Sequence, residues 1–352
     1  MTVYKNAVIN NELTDIIVEN GKFLSLVKTD LQGIDLKGNK VYPGLIDIHT
    51  HGCTGFDTMD CTLEEMSDFH AKHGVTTWYP TTMTASFEAL KAVSDIEISK
   101  IKGANIPGFH FEGPYIAEKY KGAQNPEYIR NPDYSEFKKF KNVKLVTIAP
   151  ELEGSDEFIK NCECVVCIGH TEANYDTAIK AIDCGAKCLT HTFNAMPPIH
   201  HREPAVIGAA VEKNIYAQVI CDGLHIHPAA IFMLYKMFGV EKMIIISDSM
   251  RATGLSDGEY DLGGLNVTVN GSEARLSDGT LAGSVTTLLD GVRNVISYGI
   301  PEEDAFRMAT QTPAELLGIN KGKIAAGYDA DFIVLDNKLS LLHTVIGGEI
   351  YK

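Results

Sequence analysis

From residue 44 onward the chain alternates short β-prone runs with helix-like segments, and it does so eight times. The runs are 44–51 (GLIDIHTH), 74–83, 106–113, 143–150, 164–171, 186–193, 215–223 and 242–249. Each is almost entirely apolar until its last residues, the pattern of a strand covered on both faces and therefore of a parallel sheet. Between them stand helical patterns such as TLEEMSDFHAKHG, SFEALKAVSDIEISKI, ANYDTAIKAIDCG and HPAAIFMLYKMFG, some opened by a capping residue and closed by glycine. Eight such units across 44–321 predict an α/β fold, a closed (β/α)₈ TIM-like barrel. A doubly wound open sheet is disfavoured because no Gly-x-Gly-x-x-Gly turn follows any of the strands.

Residues 1–43 and 322–352 fall outside this repeat. Both ends are β-rich, with Asn20-Gly21 as a hairpin turn, and the simplest packing joins them into one small, discontinuous β-sandwich domain. The net charge of −15 repels polyanions, so nucleic acid and acidic membrane surfaces are not expected partners, and a small anionic substrate would need a local basic pocket. The N-terminus lacks an export signal and no apolar run reaches membrane-spanning length, which predicts a cytoplasmic protein. Its eight cysteines then read as reduced thiols. The run NCECVVCIGH tempts a zinc reading, but an extended strand carries Cys164 away from His170, and small buried thiols are expected instead.

Chemistry-bearing residues collect where the strands end: His49 and His51 on the first, Glu112 on the third, His170 on the fifth, His191 on the sixth and Asp248 on the eighth. That rim is the active face of such a barrel. Because side chains alternate along a strand, His49 and His51 point the same way, with Thr50 turned from them. One histidine at a strand end means little, whereas six imidazole and carboxylate groups on one rim suit a catalytic divalent metal; the donors fit zinc, iron or manganese. Asp248 follows four apolar residues and reads as a catalytic carboxylate rather than a helix cap. Asn194, Ala195, Arg202 and His225 follow strands six and seven and offer donors to a phosphate. His200, His201 and His227 read as solvated loop residues, and Arg251 as a second cation or a surface one.

The order PGLIDIHTHG, HFEGPYI, KGAQNP, GHTEA, THTFNAMPP, DGLHIHP, SDSMRATG, LAGS and GKIAAGYDADFIVLD resembles the amidohydrolase superfamily and, within it, the N-acetylglucosamine-6-phosphate deacetylases, over essentially the whole chain. The resemblance implies hydrolysis of the acetamide of N-acetylglucosamine 6-phosphate. It implies a metal on Glu112, His170 and His191, and an Asp248 that activates the metal-bound water and then protonates the departing amine. Because this chain keeps the His-x-His pair, it implies room for a second ion on His49, His51 and Glu112 with Asp248 nearby, hence one or two metals per subunit. Substrate contacts implied are Ala123, Gln124, Asn194, Ala195, Arg202, Asp222, Gly223, Leu224, His225, Leu281, Ala282 and Gly283. Arg202 would reach the neighbouring active site of a homodimer. Gln124 departs from well-known members of the family, whose histidine at this place polarises the substrate carbonyl; an amide donates a hydrogen bond but carries no charge. Rival readings are the galactosamine epimer as substrate, a cyclic amidohydrolase, and a non-catalytic sugar-phosphate sensor.

Overall fold

The computed structural model describes residues 1–352. Eight strands, Leu45–Thr50, Val75–Thr82, Phe109–Glu112, Val143–Ile148, Val165–Ile168, Cys188–Leu189, Tyr216–Ile220 and Met243–Ile246, each fall within one of the eight apolar runs. They pair in parallel, each with the next in the chain. The seam between first and last is joined by the Asp248 amide, which donates to the His49 carbonyl at 2.9 Å, so the ring shuts at the candidate site. Around it a core of 52 buried residues packs strands against helices, and a second cluster of 12, including Tyr79, Cys167, Ile220 and Ile246, is drawn mainly from the strands.

Local chemistry sets the helix ends. Ser86 and Asn174 accept from the amides of Ala89 and Thr177, capping helices Phe87–Ser94 and Tyr175–Cys184. Gly239, at a φ of 67°, stops Pro228–Phe238. The third crossover differs from the expected repeat: residues 113–142 hold only short 3₁₀ turns and the single-turn helix Tyr134–Phe137. Freed from packing as a helix, that segment supplies loop to the barrel mouth.

Both chain ends enter one sheet, ordered Glu349–Ile350, Leu341–Ile346, Phe332–Leu335, Lys40–Pro43, Thr2–Ile9, Glu12–Glu19, Lys22–Leu26, with Ile34–Asp35 beside Thr2–Ile9. Lys40–Pro43 and Phe332–Leu335 pair antiparallel and join the two halves. Asn20 and Gly21 both take positive φ, as a two-residue hairpin turn requires.

A further antiparallel sheet, Gly258–Leu262, Leu265–Asn270 and Glu273–Leu276, follows the eighth barrel strand. It was not anticipated, although Gly263-Gly264 and Asn270-Gly271 are two-residue hairpin signals in the sequence. Its inner residues Leu262 and Val267 pack with Met83, Met250 and Ala282.

Of the expected small buried thiols, Cys167 is buried, whereas Cys162 and Cys164 are only half-buried because they precede the strand that begins at Val165. Cys61 is exposed. No helix is long and apolar enough to cross a membrane.

Candidate active site

Six strand-end residues converge. His49 Nε2 lies 3.3 Å from Glu112 Oε1 and 3.3 Å from Asp248 Oδ1. His51 Nε2 is 3.2 Å from Glu112 Oε2 and 3.4 Å from Asp248 Oδ1. On the other side of Glu112, Oε1 is 3.2 Å from His170 Nε2 and 2.9 Å from His191 Nε2. Two donor sets result, His49–His51–Glu112 and Glu112–His170–His191, sharing one carboxylate, all buried. As alternation predicts, Thr50 turns from its neighbours and bonds the Ser249 hydroxyl at 2.7 Å.

The rings are held for cation binding. His49 Nδ1 donates to Gln218 Oε1 at 2.9 Å, His51 Nδ1 to the Thr81 carbonyl at 3.2 Å and His170 Nδ1 to the Tyr120 carbonyl at 2.7 Å. A carbonyl oxygen only accepts, so each Nδ1 carries a proton, and each ring in its neutral form turns a bare Nε2 inward. The facing Nε2 atoms are 3.3 Å apart for His49 and His51 and 3.0 Å apart for His170 and His191, the last with its Nδ1 buried and unpartnered. They repel unless a proton or a cation lies between them. Ligands about 2.1 Å from a tetrahedral ion sit about 3.4 Å apart, close to the spacing found here. The residues therefore fit a divalent metal in donor type and spacing, and His49, His51 and His170 fit it in tautomer as well.

Charge balance shows the same coupling. Burial alone would raise Glu112, but His49 and His170 outweigh it and hold the carboxyl well below the usual range. For Asp248 burial again opposes, yet His49 and His51 bring it down to about 2, so it is ionised at neutral pH. His51, which burial would lower, is instead pushed well above its ordinary value by Asp248 and Glu112.

Backbone geometry aims these groups. His170, His191 and Asp248 all take positive φ, of 47°, 27° and 48°. Such left-handed residues cost about 1–3 kcal/mol each when not glycine. Asp248 is pinned there, its carbonyl accepting from the Ser284 amide at 2.8 Å while its own amide closes the ring. No helix begins at Asp248, which disposes of a capping role.

Above the cluster opens a pocket of about 490 Å³, lined in part by His51, Glu112, His170, His191 and Asp248. Ala123, Gln124, Asn194, Ala195, His225, Leu281 and Gly283 line it too. Asp222, Gly223, Leu224 and Ala282 do not. Asp222 instead accepts from His225 Nδ1 at 2.6 Å and from the amides of Leu224 and His225, so it shapes the loop that presents His225. Arg202 stands exposed outside the pocket, beside His201. Arg251 pairs with Asp60 and Asp261 rather than facing the site. His200, His201 and His227 are exposed, and His227 caps the helix that follows it.

Sequence reasoning missed several contributors. Lys119 and Lys121 line the pocket from the third crossover and bring positive charge into an acidic protein. Gln218 and His110 lie mid-strand; His110 Nε2 meets Thr147 Oγ1 at 2.8 Å, and that hydroxyl meets Thr190 Oγ1 at 2.8 Å. His110 shares the inward parity of Glu112 two residues on, and that parity was the available signal for it; Gln218 lies on a strand that carries none of the six strand-end groups.

Comparison with known proteins agrees with this geometry. Residues 41–351 match the model of the amidohydrolase family. The N-acetylglucosamine-6-phosphate deacetylase of Bacillus subtilis (strain 168) is 38% identical, over 88% of this chain and 83% of its own length. The N-acetylgalactosamine-6-phosphate deacetylase of Escherichia coli O157:H7 is 34% identical, over 88% and 86%. A solved variant of the Mycobacterium smegmatis N-acetyl-D-glucosamine-6-phosphate deacetylase, in complex with N-acetyl-D-glucosamine-6-phosphate, superposes with a TM-score of 0.93 at 32% identity, covering 99% of this chain and 98% of that one. With donor sets, barrel and matches in accord, the chain belongs to the amidohydrolase family.

Proposed function

We propose that the protein hydrolyses the acetamide of N-acetylglucosamine 6-phosphate, giving glucosamine 6-phosphate and acetate. The observation that carries this reading is the pair of His/Glu donor sets, sharing Glu112 beside an ionised Asp248, on the floor of a pocket that also presents Lys121 and His225. Glu112, His170 and His191 would hold one divalent ion, and His49 with His51 and Glu112 a second. Such an ion supplies Lewis-acid charge to the amide carbonyl and acidifies water.

The chain's own residues do the rest. Asp248 takes a proton from the attacking water at its carboxylate and returns it to the amide nitrogen, so that a neutral amine departs. Burial of the floor excludes competing water and strengthens each charge interaction there. Asn194, the loop at Ala195 and His225 meet the phosphate, and Lys119 and Lys121 add local positive charge. Arg202 of the partner subunit completes the phosphate site in a homodimer, which accounts for Arg202 standing outside its own pocket. The setting is the cytoplasm.

The test is turnover of the acetylated sugar phosphate before and after exhaustive metal removal, with the galactosamine epimer run alongside. Activity is expected to vanish with the metal and to return with zinc, iron or manganese. Full turnover by metal-free enzyme would overturn the reading, and a higher kcat/KM for the epimer would transfer it to that substrate.

A pH dependence follows from the Asp222–His225 pair. Burial would lower His225, but its bond to Asp222 raises it above the ordinary value. The imidazolium thus persists through pH 6.5 and is lost as pH rises through the raised value, so KM for the sugar phosphate should climb on the alkaline side. In Asp222→Asn the counter-charge is gone and the climb should begin at lower pH; coincident KM profiles for the two proteins would exclude His225 as a phosphate ligand.

A further inference from the structure

Gln124 is buried in the pocket wall, and both ends of its amide are engaged. Its Oε1 accepts from the Thr84 amide at 2.6 Å, and its Nε2 donates to Glu112 Oε2 at 2.5 Å. The orientation is fixed from both sides, since a backbone N–H only donates and an ionised carboxylate only accepts. Thr84 lies two residues beyond the end of the second strand at Thr82, so Gln124 ties the third-crossover loop to the barrel wall through one side chain.

The bond makes the two oxygens of Glu112 unequal. Oε1 faces His49, His170 and His191, whereas Oε2 is left to His51 and Gln124. A carboxylate's last torsion is broad and roughly two-fold, so nothing within Glu112 itself keeps the oxygens apart. The Gln124 amide does: it anchors Oε2, which leaves Oε1 nearest His191 at 2.9 Å and His170 at 3.2 Å, with His49 at 3.3 Å. A hydrogen bond to an ionised oxygen is also strong, and it draws electron density from Oε2 that a cation would otherwise use.

We propose that Gln124 is a positioning residue for Glu112, holding Oε1 toward His170 and His191 while weakening Oε2 as a ligand on the His49–His51 side. The two donor sets then bind ions with unequal affinity, the His170–His191 set the tighter. This rests on the reading that both sets hold divalent metal. It also assigns Gln124 work on the metal ligand in place of the carbonyl-polarising role expected at this position.

The experiment titrates metal-free protein with Co²⁺ against a chromophoric chelator and records the visible Co²⁺ spectrum, in the wild type and in Gln124→Met, which keeps the volume and removes both polar ends. Wild type should show two separated dissociation constants. In Gln124→Met the tighter one should weaken by about 10–100-fold, the range for loss of an outer-shell partner, and the two should draw together with a changed spectrum. Circular dichroism of the metal-free forms checks the fold; if Gln124→Met does not fold, Gln124→Ala, which leaves room for water at both vacated partners, carries the same comparison. Unchanged constants and spectrum overturn the proposal even if kcat/KM falls, because Gln124 would then act on substrate alone. A parallel loss at both sets also overturns it. A wild type that binds no ion removes the metal reading itself, an outcome distinct from any difference between wild type and variant.

Discussion

Asp248→Asn is expected to lower kcat by about 10²–10⁴-fold, the range for loss of a positioned general base and acid, while leaving the metal content of the purified protein near that of wild type. The amide is isosteric, so the 2.9 Å bond from the Asp248 backbone to His49 and the Ser284 contact survive, and with them the shape of the ring. What is lost is a carboxylate held at about 2, ionised and able to accept a proton beside the donor sets. KM should move little, since Asp248 works on the reacting atoms rather than on the phosphate. Steady-state kinetics with elemental analysis of the same preparation checks this, and near-wild-type turnover in Asp248→Asn would remove the residue from the mechanism.

Glu112→Gln should be more severe. Glu112 is the one carboxylate common to both donor sets, and an amide there loses the charge and presents two hydrogens toward imidazoles that need an acceptor. Metal content is expected to fall toward zero in both sets, and activity to fall with it by several kcal/mol of transition-state stabilisation, roughly 10⁴-fold or more. His49→Ala with His51→Ala is the contrast, because it leaves Glu112, His170 and His191 in place: about half the metal should remain. Wild-type metal content in Glu112→Gln would mean that the ions, if any, are held elsewhere.

Much of this is legible in the amino-acid sequence. The eight apolar runs were visible because a strand buried on both faces must be apolar until it leaves the core, and the polar residue at which each run stops is the one that reaches the rim. Hence His49, His51, Glu112, His170, His191 and Asp248 could all be named from position alone. The tautomers of the histidines could not, since they depend on Gln218 and on carbonyls of Thr81 and Tyr120 that belong to other elements. Nor could the left-handed turns at His170, His191 and Asp248, which only a closed tertiary framework imposes on residues that disfavour them. Lys119 and Lys121 were hidden for a different reason. They lie in a crossover read as helix, where a lysine signifies an exposed face, and the chain instead leaves that segment as loop over the pocket. The small sheet after the eighth strand is signalled only by its turns, Gly263-Gly264 and Asn270-Gly271, which mark hairpins without saying that they form a sheet outside the barrel.

The seam bond between Asp248 and His49 bears on the order in which the chain becomes functional. The chemistry-bearing groups are spread over about 200 positions, from His49 to Asp248, and the bond between those two residues closes the ring. The closing strand therefore completes the frame that holds His170 and His191 in their left-handed turns and, with it, seats the proton carrier. Donor geometry and proton transfer arrive together, and a chain cut short before its eighth barrel strand should have neither.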